Sequence, residues 1–183
     1  DMALSFLEEI HALRTVSLAA EQLLATEACL AGVEICRQID ARLARLEALS
    51  GEGELLAFLV NRFRPVWHRA VVQAREETQS AGIDFSAELP QERRSLVPSD
   101  FGFHNCLRRP DGTLAFIDFE YFGWDDPVKL TADTLLHPGA FLATSQRSRF
   151  RQGATRLYRH DRAFEHRLSA YLPLFALRWT LII

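Results

Sequence analysis

The sequence predicts a mainly α domain of the α+β type, a helical bundle that carries one short β-hairpin. Apolar residues recur every three or four positions over 17–49 and 54–80, which is the spacing of helices with one buried face. Pro65 should bend or divide the second of these helices, and Gly82 should cap its end. Helical spacing returns after Pro127 in three further segments: 128–136, 145–158 and 161–183.

The composition limits the class of protein. The chain has 183 residues, 48% of them apolar and 25% charged, with a formal net charge of −3, so one soluble globular domain is expected. This near-neutral balance gives no general attraction to nucleic acid or to an anionic membrane. The three cysteines lack metal-ligand spacing, and no signal-peptide pattern opens the chain. Together these features indicate a reducing, cytoplasmic location.

Two strand-like runs, 105–109 and 114–118, flank the turn segment 110–113 (Pro-Asp-Gly-Thr) and predict a β-hairpin. A loop of two or four residues would place Asn105 opposite Asp118 across the hairpin, whereas a three-residue loop would shift the register. An amide oxygen and a carboxylate at that separation can share one Mg²⁺ ion. The hairpin is therefore a candidate metal site.

Asp100 lies five residues before Asn105, on the segment that leads into the first strand. It can reach the same place without being a metal ligand. A base, an amide ligand and a carboxylate ligand in this order suit phosphoryl transfer, in which a carboxylate deprotonates a hydroxyl and a metal ion neutralises phosphate oxygens. Each element alone is common in loops without any catalytic role, but their combination favours a site.

Three stretches carry a family resemblance: 98–105 (Pro-Ser-Asp-Phe-Gly-Phe-His-Asn), 116–120 (Phe-Ile-Asp-Phe-Glu) and 123–127 (Gly-Trp-Asp-Asp-Pro). They resemble the catalytic core of the aminoglycoside phosphotransferase and choline kinase group, which has a protein-kinase-like fold. The resemblance implies that the whole chain, 1–183, is the C-terminal large lobe of such an enzyme. It makes 98–127 the catalytic loop and metal-binding hairpin.

The resemblance also implies a role for each candidate residue. Asp100 would be the catalytic base, Asn105 a metal ligand, and Asp118 the principal metal ligand that bridges the nucleotide phosphates. Mg²⁺ would be the cofactor and ATP or GTP the co-substrate. The expected reaction is transfer of the γ-phosphate to a hydroxyl of a small molecule.

The match departs from the family pattern around the base. Pro98 and Ser99 replace the His-Gly that usually precedes it, so the hydrogen bond attributed to that His must be made otherwise. His104 follows Asp100 by four residues rather than two. Glu120 stands where Gly is usual; it either adds a third carboxylate near the metal or faces solvent, and the second is the favoured interpretation.

Further positions around the motif have structural interpretations. Asp126 before Pro127 is explained as a helix N-cap. Where the family has a further Asp this chain has Leu130, and Asp133 is expected to brace the catalytic loop in its place. Five aromatic residues surround the loop and are expected to be mainly core rather than substrate-stacking: Phe101, Phe103, Tyr121, Phe122 and Trp124.

A nucleotide-binding lobe is not recognisable in the sequence. Lys129 is the only lysine and follows the base, so it cannot be the N-terminal-lobe lysine that holds the α- and β-phosphates in such kinases. Gly51 and Gly53 join two helices, which excludes a phosphate loop there. The N-terminal lobe of the same protein is therefore expected to be missing, and this fragment is expected to be inactive alone.

Seven arginines lie between positions 147 and 167, and the only acidic residues in this range are Asp161 and Glu165. One interpretation is a solvated helix face. The other is an acceptor-side surface that disfavours polycations, which makes a sugar or amino alcohol a better acceptor than an antibiotic. Two other functions stay open: a catalytically silent kinase-like binding domain, and a nucleic-acid-binding helical domain, against which the acidic balance counts.

Overall fold

Helices form most of the chain, as the apolar spacing predicted. The computed structural model describes residues 2–51, 53–140 and 142–182, and within them it contains seven α-helices and four short strands. The helices are α1 (Met2–Ala12), α2 (Gly32–Ser50), α3 (Glu54–Phe58), α4 (Arg64–Ser80), α5 (Pro127–Leu136), α6 (Thr144–Leu157) and α7 (Phe164–Thr180). None of the described helices is long and apolar enough to cross a membrane.

The strands form two small antiparallel pairs. β1 (Ser95–Val97) pairs with β4 (Gly123–Asp125), and β2 (Cys106–Arg108) pairs with β3 (Leu114–Phe116). The mainly α class with one sequence-local hairpin is thereby confirmed. The β1–β4 pair joins segments far apart in the chain and was not predicted.

The main core lies where α2, α4 and α5 pack against α7. Ile35, Ile39 and Leu43, spaced four residues apart on α2, contribute one completely buried stripe, because residues at this spacing share a helix face. Leu168 and Leu174 of α7 are also fully buried. α7 is therefore the central helix, and α2 and α5 are held in fixed positions beside it.

The single helix predicted over 17–49 is wrong in its first half. α2 begins only at Gly32, and the preceding residues form a 3₁₀ turn at Ser17–Glu21 and then extended segments and turns. Leu18 and Leu23, which the helical spacing placed in a buried stripe, are 64% and 82% exposed. Hydrogen bonds to β4 override the local spacing, because they require an extended backbone.

Residues 23–25 lie alongside β4 as a short parallel bridge. Trp124 donates its backbone N–H to the Leu23 oxygen at 2.9 Å and accepts the Ala25 N–H at 3.0 Å. A Cβ added to Gly123 would lie 2.5 Å from the Ala25 nitrogen. The neighbouring backbone can therefore approach this closely only because position 123 has no side chain.

Gly123→Ala is expected to lower the free energy of unfolding by about 1–3 kcal/mol, the usual cost of overpacking, because backbone must move to admit the methyl group. Urea denaturation measures this loss. Gly112→Asn is the control for a side chain added without a clash: a Cβ there meets nothing closer than 3.9 Å. Its loss should be smaller than that of Gly123→Ala, because only the strain of the positive φ remains and Asn tolerates positive φ better than most residues. Unchanged stability of Gly123→Ala would contradict the close approach of the two segments.

The predicted division at Pro65 is confirmed. α3 and α4 are joined by a π turn at Leu59–Phe63, directly before the proline, as expected for a residue that lacks an N–H and clashes with the preceding turn. Gly82 takes φ 69°, and the Ile83 N–H donates to the Thr78 oxygen at 2.8 Å. The glycine therefore ends α4 as predicted.

The β2–β3 hairpin is confirmed, but its predicted register is wrong. Cys106 pairs with Phe116 and Arg108 pairs with Leu114. The Arg109 N–H then donates to the Thr113 oxygen at 2.9 Å, which leaves a three-residue loop, 110–112. Gly112 occupies the left-handed region of that loop at φ 85°, a common way to end a hairpin. Every pairing is shifted by one residue from the expected one.

His11, near the end of α1, is buried against β1. Its Nδ1 lies 2.9 Å from the Ser95 hydroxyl oxygen, and its ring contacts Tyr158 edge-on. Burial, with nearby Arg14 and His160, lowers the pKa of His11 from 6.5 to about 4, because the charged form loses hydration there.

Stability is therefore expected to depend on pH through His11. Between pH 6.5 and about 4 the folded state binds fewer protons than the unfolded state. The contribution of neutral His11 to the free energy of unfolding is therefore fully present above pH 6.5 and is lost as the pH falls towards 4. We expect the free energy of unfolding to fall by up to about 3 kcal/mol over this range. Urea denaturation at stepped pH should show a flatter profile for His11→Gln. His68→Gln, on the exposed face of α4, is the control, and an equal slope in both variants would contradict this assignment.

Candidate functional site

One cleft of about 640 Å³ brings together α2, the segment after β1 and the end of α7. Its volume is typical of small-molecule sites. Asp100 lines it from the segment after β1, Arg42 and Arg45 line it from α2, and Trp179 lines it from α7. Of the three predicted site residues, Asp100 alone lines this cleft directly.

Asp100 is held in place by two side chains from its own loop. Its Oδ1 lies 3.0 Å from His104 Nε2, and its Oδ2 accepts a hydrogen bond from Asn105 Nδ2 at 3.2 Å. Asn105 Nδ2 also donates to the Asp100 backbone oxygen at 3.0 Å. The Asp100 side chain is still 41% exposed. His104 thus supplies the contact that Pro98 and Ser99 do not make, and the carboxylate is fixed yet accessible.

The backbone before Asp100 is strained. The Asp100 N–H donates to the Pro98 oxygen at 2.8 Å, which closes a three-residue turn with Ser99 at φ 60°. Turns of this hand are rare and costly for a residue with a side chain. Asp118, also a non-glycine residue, takes φ 67°. Such strain concentrates at functional sites, and here it occurs at the two ends of the candidate site.

The hairpin register places Asn105 opposite Ile117 rather than opposite Asp118. The Ile117 N–H donates to the Asn105 backbone oxygen at 3.0 Å, so Asn105 is bonded to the residue immediately before Asp118. The amide oxygen of Asn105 and the exposed carboxylate of Asp118 have no hydrogen-bond partner among the described residues. Both are hard oxygen donors of the kind that Mg²⁺ prefers, so their chemistry suits that ion, although the observed register removes the cross-strand pairing from which a shared site was predicted.

The aromatic residues near the loop divide into two groups. Phe101 is buried, and its ring centroid lies 4.8 Å from that of Phe116 on β3, so it fixes the loop to the hairpin as expected. Trp124 is also core and donates Nε1–H to the Ala19 oxygen at 2.9 Å. Phe103 and Tyr121 are exposed. Glu120 is exposed, as expected.

Lys129 and Asp133 lie on α5 below the candidate site. Lys129 Nζ is buried between Asp125 Oδ2 at 3.4 Å and Asp133 Oδ2 at 3.3 Å, so it is not free to hold a phosphate. Asp133 also accepts from Trp179 Nε1 at 2.8 Å and from Arg178 Nη1 at 3.3 Å. Within the described residues Asp133 therefore braces α7, and not the catalytic loop as predicted.

Asp126 is the N-cap of α5, as predicted. Its Oδ1 accepts the Val128 N–H at 2.8 Å. The same carboxylate accepts two hydrogen bonds from Arg167, at 2.9 and 3.1 Å, and Arg167 Nη1 also donates to Asp161 at 2.6 Å. Arg167 is only 4% exposed. It is a buried structural residue and joins α5 to α7.

The acceptor-side interpretation of the 147–167 arginines stays a prediction. None of the seven lines the cleft within the part of the chain that the structure describes, although Arg149 on α6 lines a smaller pocket beside Phe101 and Phe103. Arg151 pairs with Glu165, and Arg156, Arg159 and Arg162 are exposed. The cationic side chains that line the cleft are Arg42, Arg45, Lys129 and Arg178. The sequence shows that Arg42 and Arg45 are three apart on one helix, but not that this helix lines a cleft.

Asp100, His104 and His137 offer donor atoms within 4.8 Å of one another, a spacing compatible with a metal ion. The two imidazoles, however, are stacked at 4.0 Å and only 5° from parallel, so their nitrogens do not converge on one point. His137 Nδ1 already accepts the Gly139 N–H at 3.0 Å. Partial burial and nearby His104 lower the pKa of His137. The pair is better explained as support for Asp100.

Comparison with known proteins identifies no relative. No protein-family model matches the chain, and neither the curated proteins nor the solved structures contain a significant match. The functional argument is therefore based on the residues and geometry of the cleft.

Proposed function

We propose that this chain is the large, C-terminal lobe of a kinase-like phosphotransferase. It would move the γ-phosphate of ATP or GTP to a hydroxyl of a small molecule. One observation carries the proposal: the Asp100 carboxylate is clamped by His104 and Asn105 and is still exposed in a cleft of ligand size. A fixed, accessible carboxylate is what general base catalysis on a bound hydroxyl requires.

The proposed reaction is a direct displacement at phosphorus. The acceptor hydroxyl oxygen bonds to the γ-phosphorus as the bond to the β–γ bridging oxygen breaks, and Asp100 takes the hydroxyl proton. His104 and Asn105 hold the carboxylate in one orientation during this step. Asn105 Oδ1 and the Asp118 carboxylate are the atoms that would hold Mg²⁺, whose charge would neutralise the phosphate oxygens when it is bound.

The proposal assigns the phosphate-binding lysine to an N-terminal lobe of the same protein, because Lys129 is buried in ion pairs. Large apolar side chains around the hairpin are 38% to 59% exposed: Phe103, Leu107, Ile117, Phe119 and Tyr121. Clusters of this kind usually mark a contact surface. We propose that the nucleotide lobe covers them.

Thermal protection of the full-length protein by nucleotide tests the proposal. ATP or GTP should raise the melting temperature only when Mg²⁺ is present, because the metal ion is proposed to join the nucleotide to the protein. A ligand at 100 times its dissociation constant adds about 2.7 kcal/mol to the free energy of unfolding. Asp118→Ala should abolish this protection. Absence of protection by either nucleotide would contradict the proposal.

A phosphate-transfer assay run beside this experiment distinguishes an active enzyme from a catalytically silent kinase-like domain, which the replacement of the usual His-Gly pair by Pro98 and Ser99 would favour. Such a domain would show metal-dependent protection without phosphate transfer to any hydroxyl acceptor. Binding of nucleic acid with a steep salt dependence, and no nucleotide protection, would instead favour the nucleic-acid function.

A further inference from the structure

The ionised side chains of the cleft are mostly paired with one another. The Glu27 carboxylate accepts from Arg42 at 2.5 and 2.6 Å and from Arg178 at 2.8 Å. Partial burial opposes ionisation of Glu27, but the two arginine hydrogen bonds hold the pKa of its carboxyl below its usual value. Glu27 itself takes φ 57°. A carboxylate between two arginines thus sits on a residue with an unusual, left-handed backbone conformation.

The rest of this network joins α5 to β4 and α7. Lys129 contacts Asp125 and Asp133, and Arg178 makes a second contact to Asp133. Three cations, Arg42, Lys129 and Arg178, therefore face three carboxylates, Glu27, Asp125 and Asp133. These six groups neutralise one another and leave little charge for a ligand.

Two charged groups of the cleft lie outside that network. One is the Asp100 carboxylate. The other is Arg45, which lines the cleft, is exposed, and has no hydrogen-bond or ion-pair partner among the residues described. An unpaired guanidinium presents a planar set of N–H donors that matches a carboxylate or phosphate group. The cleft therefore offers one carboxylate, Asp100, that can accept a hydrogen bond from a ligand hydroxyl. It also offers a separate cation, Arg45, that can bind an anionic group of the ligand.

An aromatic side chain also lines this cleft. Trp179 donates Nε1–H to Asp133 at 2.8 Å, and its ring contacts His137 edge-on at 4.8 Å. These contacts hold the indole in one orientation. A fixed aromatic wall suits the apolar face of a ring-shaped ligand, and a volume of about 640 Å³ accommodates a sugar with a charged substituent.

We infer that the acceptor is a sugar-like molecule that carries an anionic carboxylate or phosphate group. Its reacting hydroxyl lies at Asp100, and this part of the inference rests on the proposed function. Its anionic group binds Arg45, and this binding requires neither nucleotide nor metal. A polycation would be repelled by Arg45 and would meet only Asp100 as a carboxylate outside the neutral network. The inference thus assigns a new binding role to Arg45.

Calorimetric titration of the full-length protein without nucleotide tests this inference. The probes are glucuronate, glucose 1-phosphate, glucose and glucosamine, which share a ring and differ in charge. We expect one or both anionic sugars to bind at least about tenfold more tightly than glucose, as charge-assisted hydrogen bonds allow. Glucuronate and glucose 1-phosphate separate a carboxylate from a phosphate as the recognised group.

Arg45→Gln should remove this preference, whereas Arg69→Gln, an exposed arginine of α4 outside the cleft, should retain it. The inference is overturned if glucose or glucosamine binds as tightly as both anionic sugars, if neither anionic sugar binds, or if the two variants behave alike. Binding that follows Arg45 while phosphate transfer is absent would reject only the proposed function. Transfer to neutral sugars in preference to anionic ones would reject only the inference.

Discussion

Asp100→Asn is expected to lower kcat for phosphate transfer by about 10²–10⁴-fold, the usual contribution of a general base. The dissociation constant of the Mg²⁺–nucleotide complex should be nearly unchanged, because Asp100 acts on the acceptor. Asn preserves the size of the side chain and can still accept the hydrogen bond from His104. Steady-state kinetics and nucleotide titration of the full-length protein measure the two effects separately.

Asp118→Ala is expected to remove nucleotide binding and turnover together, because the proposed metal ligand is lost. Glu120→Gln is the matched control: it neutralises another exposed acid of the same segment and should leave nucleotide binding intact. If Asp100→Asn weakens nucleotide binding as much as Asp118→Ala does, the two roles are misassigned.

Arg167→Leu is expected to lower the free energy of unfolding by about 3–5 kcal/mol, because it leaves Asp126 and Asp161 buried without their cation. Both carboxylates have side chains no more than 3% exposed, so solvent cannot take over the role of the guanidinium. Urea denaturation measures the loss. Arg162→Leu is the control, since Arg162 is exposed and lies near the same helix.

A loss below about 1 kcal/mol in Arg167→Leu, the value typical of exposed ion pairs, would contradict the structural assignment of this arginine. A comparable loss in Arg162→Leu would show that the leucine, and not the missing cation, is responsible.

Local sequence signals predicted those parts of the fold that local chemistry determines. Pro65 and Gly82 act within one helical turn of their own positions, and both divide or end a helix as expected. The hairpin follows from its turn residues. The register of the hairpin does not follow from them. The loop length depends on whether Gly112 enters the left-handed region, as it does here, and the four turn residues permit this conformation without requiring it.

Distant partners explain the main errors. Residues 23–25 have helical apolar spacing, but bonding to Trp124, about a hundred positions later, makes them extended. The Arg45 position was missed for the same reason: packing of α2 against α7 determines that this arginine lines a cleft. Asp100 could be proposed from the sequence because Asn105 and the hairpin follow it at short range, and the structure places it in the lining of the cleft.

Transfer of a labelled γ-phosphate tests the central claim most directly. The full-length protein is incubated with labelled ATP or GTP, Mg²⁺, and a panel of neutral, carboxylate-bearing and phosphate-bearing sugars, and the products are identified by mass spectrometry. The account predicts a Mg²⁺-dependent phosphorylated sugar that is absent with Asp118→Ala and strongly reduced with Asp100→Asn. Metal-dependent nucleotide binding with no phosphorylated acceptor, or transfer that neither substitution diminishes, would contradict it.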